Sequence, residues 1–118
     1  MKTSELTGAA LDWAVVECEC MMPAPFKSIP SLLNGTVRIF RPDISAHSEP
    51  ISPSTNWAQG GPIIEREKIT PEWTGENWMA YIRHDDEFFG PTPLIAAMRC
   101  YVASKLGDDV DVPEELTP

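Results

Sequence analysis

Few positions in this 118-residue chain combine the residue types that reactions need. The densest polar cluster is His84-Asp85-Asp86-Glu87, an imidazole beside three carboxylates. Such groups can hold a divalent cation or exchange protons with a substrate. Their spacing matches no metal motif, and neighbours in sequence rarely aim at one point, so the plainer reading is a solvated loop. His84, Asp85 and Asp86 stand as weak metal candidates, and a small metal-dependent enzyme using His84–Glu87 as the alternative function. Cys18-x-Cys20 offers half of a zinc site, but a second pair is missing and residues i and i+2 of a helix point in different directions. Ser52, Ser54 and Thr55 carry hydroxyls without a nucleophile elbow or a histidine placed to act as base. Gly60-Gly61 lacks the further glycines and the lysine of a phosphate loop, and Glu65 and Glu67 would repel phosphate. These motifs imply no catalytic set, no metal site and no cofactor.

Two segments are better explained by contact than by catalysis. Gly60-Gly61-Pro62 interrupts a stretch with helical spacing, where Gly costs about 1 kcal/mol and Pro about 3. Such a break persists when close packing or a partner requires it. The structural reading is close packing against the last helix of the chain. The functional reading is a recognition surface with Trp57 or Phe89 as an exposed anchor. The candidate partner-binding residues are Trp57, Gly60, Gly61, Pro62, Phe89 and Pro91.

Charge narrows the partners. Asp and Glu number 18 against 9 Lys and Arg, for a net charge of −9 and a pI of about 4.5. Binding to nucleic acid is mostly neutralisation of phosphate by Lys and Arg, so direct nucleic-acid binding is not expected. Residues 60–118 hold twelve of the acids and five of the bases. Residues 108–118 carry Asp108, Asp109, Asp111, Glu114 and Glu115 with no base, and read as an acidic, flexible tail. A sharper reading makes this half a mimic of DNA charge. No basic start followed by a long apolar run marks a signal peptide. No apolar run approaches about 18 residues, so no membrane span is expected. Three cysteines, Cys18, Cys20 and Cys100, without such a signal suggest reduced thiols in a cytoplasm. Folding a chain of this size buries roughly two-thirds of its surface, enough for one core, which sets a single domain at residues 1–107.

The elements that must position these residues follow from periodicity. Residues 9–20 form a helix, with Thr7 as cap and Leu11, Ala14, Val15 and Cys18 on one stripe. Asp12, Glu17 and Glu19 lie off that stripe, Trp13 lies at its edge, and Pro23 and Pro25 end the helix. Residues 21–35 read as an irregular connection with a helical turn at Pro30–Leu33 and a turn at Asn34-Gly35. Thr36–Phe40 alternates as a strand. Residues 54–68 read as helix on both sides of a kink, capped by Ser54 or Thr55. Residues 71–84 read as a hairpin turning near Thr74-Gly75-Glu76. The last helix has Thr92 as cap, Pro93 in its first turn and Gly107 after its last. Leu94, Ile95, Met98, Tyr101, Val102 and Leu106 form its apolar face, with Arg99 and Lys105 exposed. This order gives an α+β class, a short antiparallel sheet packed by about three helices.

The stretches KTSELTGAALDWAV, ISPSTNWAQGGPIIERE and FGPTPLIAAMRCYVASKLGDDVDVPEEL resemble the phage NinX family. That resemblance implies a protein of lambda-like and P22-like phages and their prophages, with no established activity to carry over. A wider similarity to phage ABA-sandwich domains implies a small α-β-α sandwich-like domain, residues 54–68 mostly helical, and Thr36–Phe40 in one sheet with the later hairpin. The functional expectation is a non-catalytic accessory protein in the host cytoplasm. It would bind a host or phage protein, with replication and recombination machinery implied by the neighbourhood of such phage genes. A homodimer burying an apolar patch against itself is the remaining alternative.

Overall fold

The computed structural model describes residues 1–20, 29–40, 49–83 and 86–117. Helix α1 spans Gly8–Glu19, α2 Trp57–Glu67 and α3 Pro93–Leu106. Strands β1 (Ile29–Leu33), β2 (Thr36–Phe40) and β3 (Glu49–Pro50) form one antiparallel sheet in the order β1-β2-β3. Strands β4 (Thr70–Trp73), β5 (Trp78–Tyr81) and β6 (Phe88–Gly90) form a second, in the order β4-β5-β6. The class is α+β, as expected.

Helix α3 forms as its termini dictate. Thr92 Oγ1 accepts the Ile95 N–H at 3.1 Å, Pro93 opens the helix, and Gly107 closes it at φ 87°. Leu94, Ala96, Ala97, Met98, Cys100, Tyr101 and Val102 are all buried, which leaves the helix little solvent side. Such a helix must be covered all round. All three strands of the second sheet cover one side, and α1 and α2 pack against others. Helix α1 has two buried faces of its own. Leu11, Ala14, Val15 and Cys18 join the main core, as their spacing predicts, while Val16 meets Val37 and Ile39 of β2.

This arrangement corrects the expectation of one sheet. Thr36–Phe40 and the 70–81 hairpin lie in different sheets, because α1 and α3 stand between them and each needs cover on its far side. The helical turn at Pro30–Leu33 is instead part of β1. Asn34 and Gly35 have φ of 51° and 78°, the pair of left-handed residues that a two-residue hairpin turn requires. Pro30 is tolerated there because β1 is an edge strand.

Helix lies on both sides of Gly60-Gly61-Pro62, as expected, and α2 runs without interruption through Pro62. Its cap is Asn56, whose Oδ1 accepts the Ala58 N–H at 2.9 Å, rather than Ser54 or Thr55. The proline has no N–H to donate to the carbonyl of Ala58, an exposed residue. Thr7 stands at the N-cap of α1 but its side chain makes no capping bond. Arg99, expected on the surface, is half-buried. Its Nε donates to the Leu6 carbonyl at 2.7 Å and its Nη1 to that of Phe89 at 2.6 Å.

The start of the acidic segment is joined to the other end of the chain. Thr3 N–H donates to the Asp108 carbonyl and Val110 N–H to that of Met1, both at 2.9 Å. Thr3 Oγ1 donates to the Gly107 carbonyl at 2.6 Å. Val110 is buried, so packed structure continues past residue 107.

Gly60 shows how tightly α2 is set. A Cβ there would lie 2.4 Å from the Pro53 carbonyl oxygen and 2.5 Å from Leu94 Cδ1. Alanine favours a helix by about 1 kcal/mol over glycine, but overpacking of this kind costs about 1–3 kcal/mol. Gly60→Ala is expected to lower stability in denaturant titration, whereas Gly61→Ala, with only an ordinary contact at 3.9 Å, is expected to raise it.

Candidate functional site

Two polar groupings tie elements of the fold together, one partly exposed and one buried. At one end of the helices, Arg66 of α2 donates through Nη1 to Glu19 Oε1 at 3.2 Å and through Nη2 to Glu19 Oε2 at 2.7 Å. The same guanidinium donates to Glu67 at 2.9 Å and lies over the Tyr101 ring, 5.7 Å from its centroid. Tyr101 OH donates to Glu19 Oε2 at 2.5 Å, and Lys105 pairs with Glu67 at 3.4 Å. Bonds to Glu19 raise the pKa of Arg66, against the effect of its burial. Burial first, and then the Glu19 carboxylate, push Tyr101 well above the usual phenol range. The group holds Tyr101 neutral and bonded while tying three helices together.

The second grouping is Asp12 on α1. It is buried, and its Oδ1 accepts the Ser54 N–H at 2.8 Å. Burial raises its pKa, with Ser54 opposing the shift. Ser54 Oγ sits close to this carboxyl but outside hydrogen-bonding geometry, and among the described residues it is the one buried side-chain polar atom without a partner. Ser54 is 1% exposed, which closes it to any substrate.

The sequence candidates divide between separate places. Trp57 is 53% exposed at the start of α2 and runs beside Gly61. Gly60 is buried under Pro53 and Leu94, so it serves packing. Pro62 lines a cleft of about 230 Å³ between α2 and the first sheet, with Gln59, Arg66, Glu49 and Ile51. Phe89, 45% exposed, and Pro91 line another of about 470 Å³, with Ser4, Glu76, Glu87 and Arg99. These two clefts share no lining residue. Asp86 lines a third, of about 430 Å³, with Arg83, Cys100, Ser104 and Asp108. His84 and Asp85 lie outside the described residues. Among the described residues, no three His, Cys, Asp or Glu side chains converge as metal ligands. Cys18 and Cys100 are buried free thiols, and burial pushes them up to about 12 and about 11. They are protonated at neutral pH and poor nucleophiles.

Sequence reading missed Trp73, 54% exposed and tilted at 57° to the Trp78 ring, 5.5 Å between centroids. It also missed the position of Met79 beside Phe89 on adjacent strands. The alternation within 78–82 was a signal for the face of Met79, but the register with β6 was not readable from it.

What results is a small α+β domain whose buried ionisable groups are engaged in holding it together and whose large aromatic residues stand partly at the surface. The chain belongs to the NinX family of bacteriophage P22: the model of that family matches residues 2–105. No curated protein matches the sequence. Membership fits a phage accessory protein. Among the described residues, no helix is long and apolar enough to cross a membrane.

Asp12 gives a test of this interior. Its folded pKa is raised, so its protonated form adds stability at low pH that is lost as pH rises through the folded value. Asp12→Asn keeps the acceptor, removes the charge and offers an N–H to Ser54 Oγ. Its Tm is expected to exceed that of the unsubstituted protein at pH 7, with the advantage narrowing toward about pH 4. Asp12→Ala, which orphans the Ser54 N–H, is expected to lose about 1–3 kcal/mol at pH 7.

Proposed function

We propose that this NinX-family protein is a non-catalytic accessory module that acts by binding a protein of the host or the phage. The phage setting of the family points toward replication or recombination machinery as the place of the partner. The observation that carries the reading is the exposure of Trp57 and Phe89 at anchored backbone positions. Trp57 opens a helix capped by Asn56 and packed through Gly60. Phe89 sits on β6, with its carbonyl held by Arg99. Aromatic side chains that are exposed on fixed backbone lose little entropy on docking, and such residues dominate binding energy at protein interfaces.

The net charge of −9 supports a protein partner over a nucleic acid. It also supports binding that weakens with salt wherever carboxylates take part.

The test is quantitative capture by tagged protein from phage-infected cells, comparing the unsubstituted chain with Trp57→Ala and Phe89→Ala. One near-stoichiometric partner is expected, lost in at least one variant by about 30-fold or more in affinity, the scale of an aromatic hot spot. Retention of that partner by the double variant at full strength, with unchanged Tm, would overturn the reading.

A further inference from the structure

We infer that the outer face of the second sheet docks a basic polypeptide segment carrying an aliphatic or aromatic side chain between Lys or Arg residues. This rests on the protein-binding reading and names the chemistry of the partner.

The faces of the sheet follow from its register. Trp78 and Ala80 of β5 join the main core, and a Cβ on Gly90 would lie 2.9 Å from Ala96 N of α3. Residues paired across strands share a face, and alternate residues along a strand change it. Glu72, Met79 and Phe89 are mutual partners across β4, β5 and β6. They form one row on the face turned away from α3, and Thr70 with Tyr81 forms the next row. The row thus offers a thioether and a phenyl ring beside a carboxylate. Glu76 and Glu87 line the cleft that Phe89 also lines, about 470 Å³ in volume. Arg99 borders the same cleft, but its Nε and Nη1 are spent on the Leu6 and Phe89 carbonyls.

Charge selects the occupant. An apolar centre edged by Glu72, Glu76 and Glu87 attracts a segment with cations on both sides of its apolar residue. A second copy of this chain would set the same carboxylates face to face, and like charges opposed across an interface repel. Nucleic acid would meet the same repulsion from its phosphates. The carbonyl of Phe89 is held by Arg99, so recognition falls to side chains on the face rather than to strand addition at the β6 edge.

Three synthetic peptides test this, titrated into labelled full-length protein with backbone amide shifts as the readout. One carries Leu-Phe-Leu flanked by lysines, the second the same core flanked by glutamates, and the third lysines flanking serines. The lysine-flanked apolar peptide is expected to shift the amides of Glu72, Met79 and Phe89. It should bind at least about tenfold tighter than either other peptide. Phe89→Ala is expected to weaken it about tenfold or more, and Glu76→Lys to weaken it while preserving Tm. Equal binding of the glutamate peptide, equal binding of the serine peptide, or shifts confined to other surfaces would overturn the inference. So would a dimer in sedimentation that Phe89→Ala dissociates, since the face would then belong to a second copy. A captured partner that Trp57→Ala releases and Phe89→Ala retains would also overturn it, while leaving the protein-binding reading in place.

Discussion

Helix α3 dictates the layout because it is apolar on nearly every side. An amphipathic helix needs one partner surface, whereas this one must be enclosed. Burial of a large aliphatic side chain is worth about 1.5–3 kcal/mol. Exposing Leu94, Met98 or Val102 would therefore forfeit a large part of the margin of a small domain. Enclosure sets the neighbours. The second sheet lies along one flank, and α1 and α2 take others. Two glycines allow the closure: Gly60 lets α2 approach Leu94, and Gly90 lets β6 approach Ala96. Helix α1, drawn against α3, then has a second apolar face through Val16, and the first sheet covers that.

Enclosure creates a polar problem that the ion cluster resolves. Tyr101 is 1% exposed on α3, and its hydroxyl cannot be left without a partner except at about 1–3 kcal/mol. Glu19 accepts its hydrogen bond, Arg66 neutralises Glu19, and Glu67 with Lys105 completes the alternation of charge. Partly exposed ion pairs contribute little each. The value of this one lies in satisfying a buried phenol and in fixing the ends of three helices together.

The parts of the fold legible in sequence are those whose causes are local. The limits of α3 follow from Thr92, Pro93 and Gly107 within a few residues of its ends. The turn at Asn34-Gly35 is equally local. Its first arm was not legible, since Ile-Pro-Ser-Leu-Leu shows no alternation and acquires its strand character by pairing with β2. Layer order was illegible for another reason. A helical wheel picks out Leu94, Met98 and Val102 but treats Ala96, Ala97 and Cys100 as neutral, and those small residues are buried too. Asp12 looked like a solvated residue because Ser54, which buries and bonds it, lies 42 positions away. Arg99 looked exposed because its acceptor Leu6 lies 93 positions away. Of the candidate surface, the aromatic anchors Trp57 and Phe89 were readable as residue types. The row joining Phe89 to Met79 and Glu72 depends on the register of three strands.

The buried ionisable groups among the described residues are engaged with the fold. Cys18 and Cys100 are held as thiols by burial, Asp12 is bonded to Ser54, and Tyr101 is held by Glu19. Asp12 and Tyr101 are tied into the packing by these bonds, and Cys100, although it lines a cleft, is held as a thiol. The exposed aromatic residues Trp57, Trp73 and Phe89 carry no such duty in the fold, and the proposed partner contact would give Trp57 and Phe89 one. On an acidic molecule an apolar anchor and its surroundings divide the work. Carboxylates act over about 10 Å at moderate salt and bias which molecules arrive and how often. A ring buried on docking would set how long they stay, since affinity differences reside mostly in dissociation. As a docking face, one with Phe89 at its centre and glutamates at its edge would therefore discriminate twice, by sign on approach and by shape on closure.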